Sequence, residues 1–225
     1  MYESGADILE LGVPFSDPTA DGPVIQRSSA RALKAGIHLA DVLEMTRRIR
    51  QISDVPIILF SYYNPIMAYG VEKFYKDSVS AGADGVLVVD LPPEESEELT
   101  GEWKDDAFCL IRLVAPTTPE DRMRTIAANS SGFLYMVSMT GVTGSGGLDT
   151  TETGQYVEKL RQVTELPICV GFGISTPSDV SAVSAVADGA VIGSAFESTI
   201  EDNLDNPDLP AIIGKQTAAY KDATR

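Results

Sequence analysis

Glu10 lies inside an apolar run, Ile8-Leu9-Glu10-Leu11. A carboxylate among aliphatic side chains loses hydration, so its pKa should rise toward neutrality and it could both give and take a proton. A charge satisfied by loop backbone is the other reading, and spacing alone leaves both open. Asp21 lies in Pro14-Phe-Ser-Asp-Pro-Thr-Ala-Asp-Gly-Pro23, a loop composition that could fold over a substrate and present a carboxylate to an N–H donor. Asp17 and Asp90 are further loop acids; spacing does not separate a structural role from a partner contact. A second constellation is glycine-rich: Gly141-Val-Thr-Gly144, Gly171-Phe-Gly-Ile174 and Gly193-Ser194. Backbone N–H groups near a helix start can hold phosphate without Lys or Arg. Turns and close packing could explain these glycines instead, but three such stretches in succession weaken that account. No Walker motif and no nearby lysine are present, which suits a backbone-bound monophosphate.

These residues need a scaffold, and short apolar runs supply one: Asp7–Leu11, Pro56–Ser61, Gly85–Leu91, Phe108–Val114, Phe133–Ser138, Pro167–Gly171 and Gly189–Gly193. They lack polar alternation, as strands buried on both faces of a parallel sheet do. Helical patterns fall between them over Ala40–Ile52, Glu72–Ala81, Glu94–Trp103, Pro119–Ala128, Glu152–Val163 and Thr176–Val186. Ser175 or Thr176 is the expected N-cap of the last, and Pro92-Pro93 suits the start of the third. Strand–helix alternation means α/β with a parallel sheet. A doubly wound sheet would gather its site at one switch point. Here the unusual residues follow the ends of nearly every run, as in a TIM (β/α)8 barrel. The expectation is one barrel domain over residues 1–225.

Composition narrows the function. The chain has 225 residues, 17 basic and 33 acidic, a net charge of -16 and 44% hydrophobic residues. That is a globular composition, and its acidity argues against nucleic acid and anionic membranes. Seven lysines stand against eighteen aspartates, which suits adaptation to high salt somewhat better than an ordinary acidic cytosolic protein. The longest apolar runs, about eight residues, are too short to span a bilayer. Met1-Tyr2-Glu3-Ser4-Gly5 shows no signal-peptide pattern, so a cytoplasmic location is expected. Cys109 and Cys169 each sit in an apolar run and read as buried hydrophobes in a reducing compartment. One histidine and no Cys/His cluster make a metal site unexpected.

The stretch from Gly5 to Gln26, GADILELGVPFSDPTADGPVIQ, closely resembles the signature of the tryptophan synthase alpha subunit family. So do Val88-Val-Asp-Leu-Pro92, Ser138-Met-Thr-Gly-Val-Thr-Gly144, Gly171-Phe-Gly-Ile-Ser175 and Gly193-Ser-Ala195, in order along the chain. The resemblance implies a (β/α)8 barrel that cleaves indole-3-glycerol phosphate to indole and glyceraldehyde 3-phosphate without metal or organic cofactor. Glu10 matches the catalytic glutamate and Asp21 the aspartate that holds the indole N–H. Tyr135 matches a tyrosine near these carboxylates, and Thr143 a threonine of the loop after the sixth strand. Gly144, Gly173, Gly193 and Ser194 match phosphate-binding positions, with Phe172 adjoining. Phe60, Leu87 and Val89 would line the indole pocket. The family implies an alpha2beta2 heterotetramer in which the beta subunit receives indole and alone carries pyridoxal phosphate. The loops at Pro14–Pro23 and after Ser138 would make that contact.

The sequence departs from the family at Thr19, where Leu is usual, and at Met139, where Arg is common. Family members also carry roughly forty residues before Glu3-Ser-Gly-Ala-Asp, so the barrel is expected to lack its first βα unit. Two other readings stand beside this one. Another phosphate-binding barrel, an isomerase or a different indole-pathway enzyme, would place a Lys or His at a strand end. His38 and the seven lysines fall in helices or loops. A truncated, non-catalytic fragment with open strand edges is the third.

Overall fold

The computed structural model describes residues 1–101, 103, 107–137, 150–171 and 173–225. The chain forms two compact units: Tyr2 with Asp7–Ile111, and Met1 with Glu3–Ala6 and Arg112–Arg225. In the first unit, β1 (Leu9–Gly12), β2 (Ile57–Ser61), β3 (Gly85–Val88) and the start of β4 (Cys109–Val114) pair in sequence order, all parallel. In the second, the end of β4 pairs with β5 (Leu134–Val137), then β6 (Ile168–Gly171) and β7 (Gly189–Val191), again parallel. All seven expected strands are present; β1 ends one residue later than expected, at Gly12, and the other six lie within their expected runs.

The helices are α1 (Pro23–Lys34), α2 (Leu39–Arg50), α3 (Tyr63–Tyr69), α4 (Val71–Ala81), α5 (Glu97–Thr100) and α6 (Glu120–Ala128), then α7 (Thr150–Arg161), α8 (Pro177–Ser184), α9 (Ser194–Glu201) and α10 (Leu209–Asp222). Thr176 caps α8 as expected: its side chain accepts from the Asp179 N–H, and the Asp179 carboxylate accepts from the Thr176 N–H. The helix expected over Glu94–Trp103 is instead a 3-10 turn at Pro93–Glu95 followed by the single-turn α5. Glu94, Glu95, Glu97 and Glu98 are like charges at neighbouring helical positions, and within α5 only Leu99 is buried. Four helices escaped the sequence reading: α1, α3, α9 and α10. Cys109 and Cys169 are not in a disulfide and are only half-buried, not the buried hydrophobes expected.

Register sorts the strand residues into two faces, because side chains alternate along each strand. In the first unit Leu11, Leu59, Val86 and Val88 face the helices, in a core with Leu39, Val42 and Phe74. In the second, Val114, Met136 and Val170 do the same with Val157, Val180 and Ile213.

Each unit carries, within itself, the same kind of fastening at the N-terminal ends of its strands. Asp84 precedes β3, and its Oδ2 accepts from the Ile57 N–H at 2.7 Å and from Arg50 at 2.6 Å. Asp188 precedes β7 and accepts from the Ile168 N–H at 2.9 Å and from Arg161 at 3.0 Å. Partial burial alone would raise the Asp188 pKa, but the bonds from Arg161 and the Ile168 N–H outweigh it and hold the carboxyl below its usual range. Such a carboxylate contributes stability that is present at neutral pH and lost as pH falls through its folded pKa. Asp188→Ala should therefore cost about 1 kcal/mol at pH 7, kept small by solvent screening of the half-exposed pair. The difference from the unmodified chain should be smaller at pH 3, below the ordinary Asp value of 3.8. Urea titrations at the two pH values check this.

Candidate active site

β1 and β2 are paired so that Glu10 lies beside Ile58 and Gly12 beside Phe60; Phe60 in turn lies beside Leu87 of β3. Glu10, Phe60 and Leu87 therefore share the face of the first unit that points away from its helices. Leu87 is fully buried, and Val89 follows β3 with the same parity. Phe60 and Leu87 thus stand on the same face as the expected acid, while Val89 lies in the turn just beyond β3. Burial pushes the Glu10 carboxyl up to about 7. That value suits a group that must be an acid in one step and a base in another at neutral pH.

Asp21 sits in the loop between β1 and α1, and this loop is fastened at several points. The Phe15 N–H donates to Ser29 Oγ at 2.8 Å, and Ser29 Oγ returns a bond to the Phe15 carbonyl at 3.0 Å. Gln26 donates to the Asp21 carbonyl at 2.8 Å. Tyr62, the residue after β2, makes the decisive contacts. Its hydroxyl donates to Asp21 Oδ2 at 3.1 Å and accepts from the Ala20 N–H at 2.9 Å. Its ring lies 5.3 Å from that of Phe15. Desolvation raises the Asp21 pKa, and the Tyr62 bond partly offsets it. Tyr62 is itself pushed up to about 12, chiefly by burial, with the Asp21 and Asp90 charges adding to it. It keeps its proton, and so remains a donor, at any working pH.

Sequence reasoning missed Tyr62 as a site residue, although two adjacent tyrosines directly after a strand were a visible signal. Asp90 is now explained: its carboxylate accepts from the Tyr63 N–H at 2.7 Å, at the start of α3, where acceptors are wanted. Asp17 is exposed and bonded to Ser16.

In the second unit Tyr135 is buried on β5, on the face away from the helices. A methyl group at Gly171 would stand 2.1 Å from Tyr135 Oη, so the missing side chain lets the ring lie against β6. Gly173 has φ +74, a left-handed conformation that glycine adopts without strain. Gly193 serves differently. Its φ is -114, open to any residue, and a side chain there would meet nothing within 4 Å. Its value is access to the backbone, at the start of α9 with Ser194 as first residue. The positive end of a helix dipole meets open space there. Thr143, Gly144 and Phe172 lie outside the described residues, as does Met139.

A family model described as "Tryptophan synthase alpha chain" matches residues 1–223. The chain belongs to the tryptophan synthase alpha chain family. The tryptophan synthase alpha chain of Desulfosudis oleivorans is 63% identical over 225 residues, spanning all of this chain and 85% of that protein. The crystal structure of tryptophan synthase subunit alpha from Legionella pneumophila superposes with a TM-score of 0.91 at 40% identity, covering 99% of this chain and 83% of that one. A tryptophan synthase complex from Pyrococcus furiosus matches at 0.85 and 33% identity, covering 97% and 87%. With these relatives the fold class is the TIM barrel expected from the strand ends. The chain is a lyase of tryptophan biosynthesis. The isomerase and other indole-pathway readings fall away.

Proposed function

We propose that the chain, as a single barrel domain, cleaves indole-3-glycerol phosphate to indole and glyceraldehyde 3-phosphate, with Glu10 as the acid/base and Asp21 as the electrostatic partner. One observation carries this most directly: a carboxyl raised to about 7 by burial, on the face that also holds Phe60 and Leu87. Glu10 gives its proton to the indole ring carbon that bears the side chain. The indole nitrogen becomes cationic, and the Asp21 carboxylate, held by Tyr62, accepts its N–H and offsets the charge. Glu10 then takes the proton of the glycerol hydroxyl. The carbon–carbon bond breaks, its electrons return to the ring, and the aldehyde forms. The transferred proton balances, so the chemistry needs no metal or organic cofactor.

Gly144, Gly173, Gly193 and Ser194 would bind the phosphate through backbone N–H groups, with Phe172 adjoining. Tyr135 and Thr143 would contact the substrate. The partner is a pyridoxal-phosphate beta subunit in an alpha2beta2 assembly, and the location is the cytoplasm. Among the described residues no helix is long and apolar enough to cross a membrane.

The test is indole release from indole-3-glycerol phosphate by the purified chain, alone and with a family beta subunit, over a range of salt. Salt is varied because the net charge is -16. We expect cleavage by the chain alone and faster cleavage with the partner. No indole under any of these conditions would reject the assignment in favour of a non-catalytic fragment.

A further inference from the structure

The last helix carries two side chains that none of the assignments above uses, and both reach the glycine-bearing strand ends of the second unit. Tyr220 of α10 is 5% exposed, and its ring meets Phe196 of α9 edge-on at 5.5 Å. Its hydroxyl donates to the Ser175 carbonyl at 2.7 Å, two residues beyond Gly173. The same segment is gripped from α8, where the Asp179 carboxylate accepts from the Ser175 N–H at 3.0 Å and the Thr176 N–H at 2.8 Å. One turn before Tyr220, Gln216 donates from Nε2 to Tyr220 Oη at 3.1 Å. The same nitrogen lies 3.5 Å from the Ala195 carbonyl in the first turn of α9. A chain of polar contacts thus runs from the Gly173 segment, through Tyr220 and Gln216, to the start of α9.

We propose that Tyr220 and Gln216 are positioning residues for the phosphate group. They keep the Gly173 segment and the Gly193-Ser194 helix start at one spacing, so that backbone donors from both can serve a single phosphate. Neither side chain touches the substrate. Their effect is on phosphate affinity and not on the proton transfers at Glu10. This inference rests on the phosphate role given above to Gly173, Gly193 and Ser194.

Tyr220→Phe keeps the ring and its contact with Phe196 but removes the donor to Ser175. In the full chain, KM for indole-3-glycerol phosphate and Kd for inorganic phosphate should each rise about five- to ten-fold, the worth of one hydrogen bond. The kcat should stay within about two-fold, because no interaction special to the transition state is lost. Inhibition by indole, which has no phosphate, should not change. Gln216→Leu should move the same quantities in the same direction by less, and it serves as the comparison if Tyr220→Phe does not fold. An unchanged phosphate Kd in the variants, beside normal binding by the unmodified chain, overturns this inference alone. Equal losses of kcat, phosphate affinity and indole inhibition also overturn it, since a merely loosened unit behaves that way. An unmodified chain that cleaves substrate but does not bind phosphate sinks the cradle, and this inference with it.

Discussion

Glu10→Gln should remove roughly 10²- to 10⁴-fold of the cleavage rate, the usual worth of one acid/base group, while making the protein more stable above neutral pH. Both effects have one cause. The Glu10 carboxyl ionises at about 7 in the folded chain against an ordinary 4.5. Between those values the folded state binds more protons than the unfolded state, so stability falls as pH rises through the interval. Above pH 7 the folded chain holds a poorly hydrated charge, at a cost on the order of 2–3 kcal/mol. Glutamine carries no charge and escapes that cost. Its thermal midpoint should exceed that of the unmodified chain by roughly 5–10 °C at pH 8, and the gap should close toward pH 5. Calorimetry at both pH values checks the stability, and indole release checks the rate. A gap that does not depend on pH would remove the enclosed-carboxyl explanation, and an undiminished rate would remove Glu10 from the mechanism.

Asp21→Asn should lower the rate about 10²- to 10³-fold, because the amide still accepts the indole N–H but no longer offsets its charge. Tyr62→Phe tests how that charge is held. It leaves the Ala20 N–H and the Asp21 carboxylate without the hydroxyl that now serves both. Burial already raises the Asp21 pKa, and the Tyr62 bond opposes the rise. Without that bond the pKa should climb further, so the acid limb of the pH–rate profile should move upward. At pH 7 a loss of about ten-fold is expected, consistent with a hydrogen bond to a charged group. The shift should disappear when Asp21→Asn is combined with Tyr62→Phe. A profile unmoved by Tyr62→Phe would mean that the Asp21 charge does not depend on that hydroxyl.

Much of the scaffold was legible in the chain, for physical reasons. Strands buried on both faces must be apolar throughout, so all seven runs stood out against the polar helix surfaces between them. Glu10 was legible because a carboxylate in such a run is anomalous. The Thr176 cap was legible because its bonding is local in sequence. The helix expected over Glu94–Trp103 was misread, because apolar spacing does not register the repulsion among four neighbouring glutamates. The helix α1 went unseen behind a long proline-bounded loop, and none of its residues is fully buried.

The sequence by itself determined the strand–helix alternation, the anomalous acid within an apolar run at Glu10 and the glycine-rich strand ends, since each depends on residue types close together in the chain. Only the tertiary structure decided the rest. Strand register set Glu10, Phe60 and Leu87 on one face. Pairings across 41 and 45 residues assigned Tyr62 to Asp21 and Tyr220 to Ser175. The space around Gly193 and the ring of Tyr135 over Gly171 separated a glycine that gives access from one that makes room. Contacts of this kind form between residues distant in sequence, so no local pattern of composition or spacing encodes them.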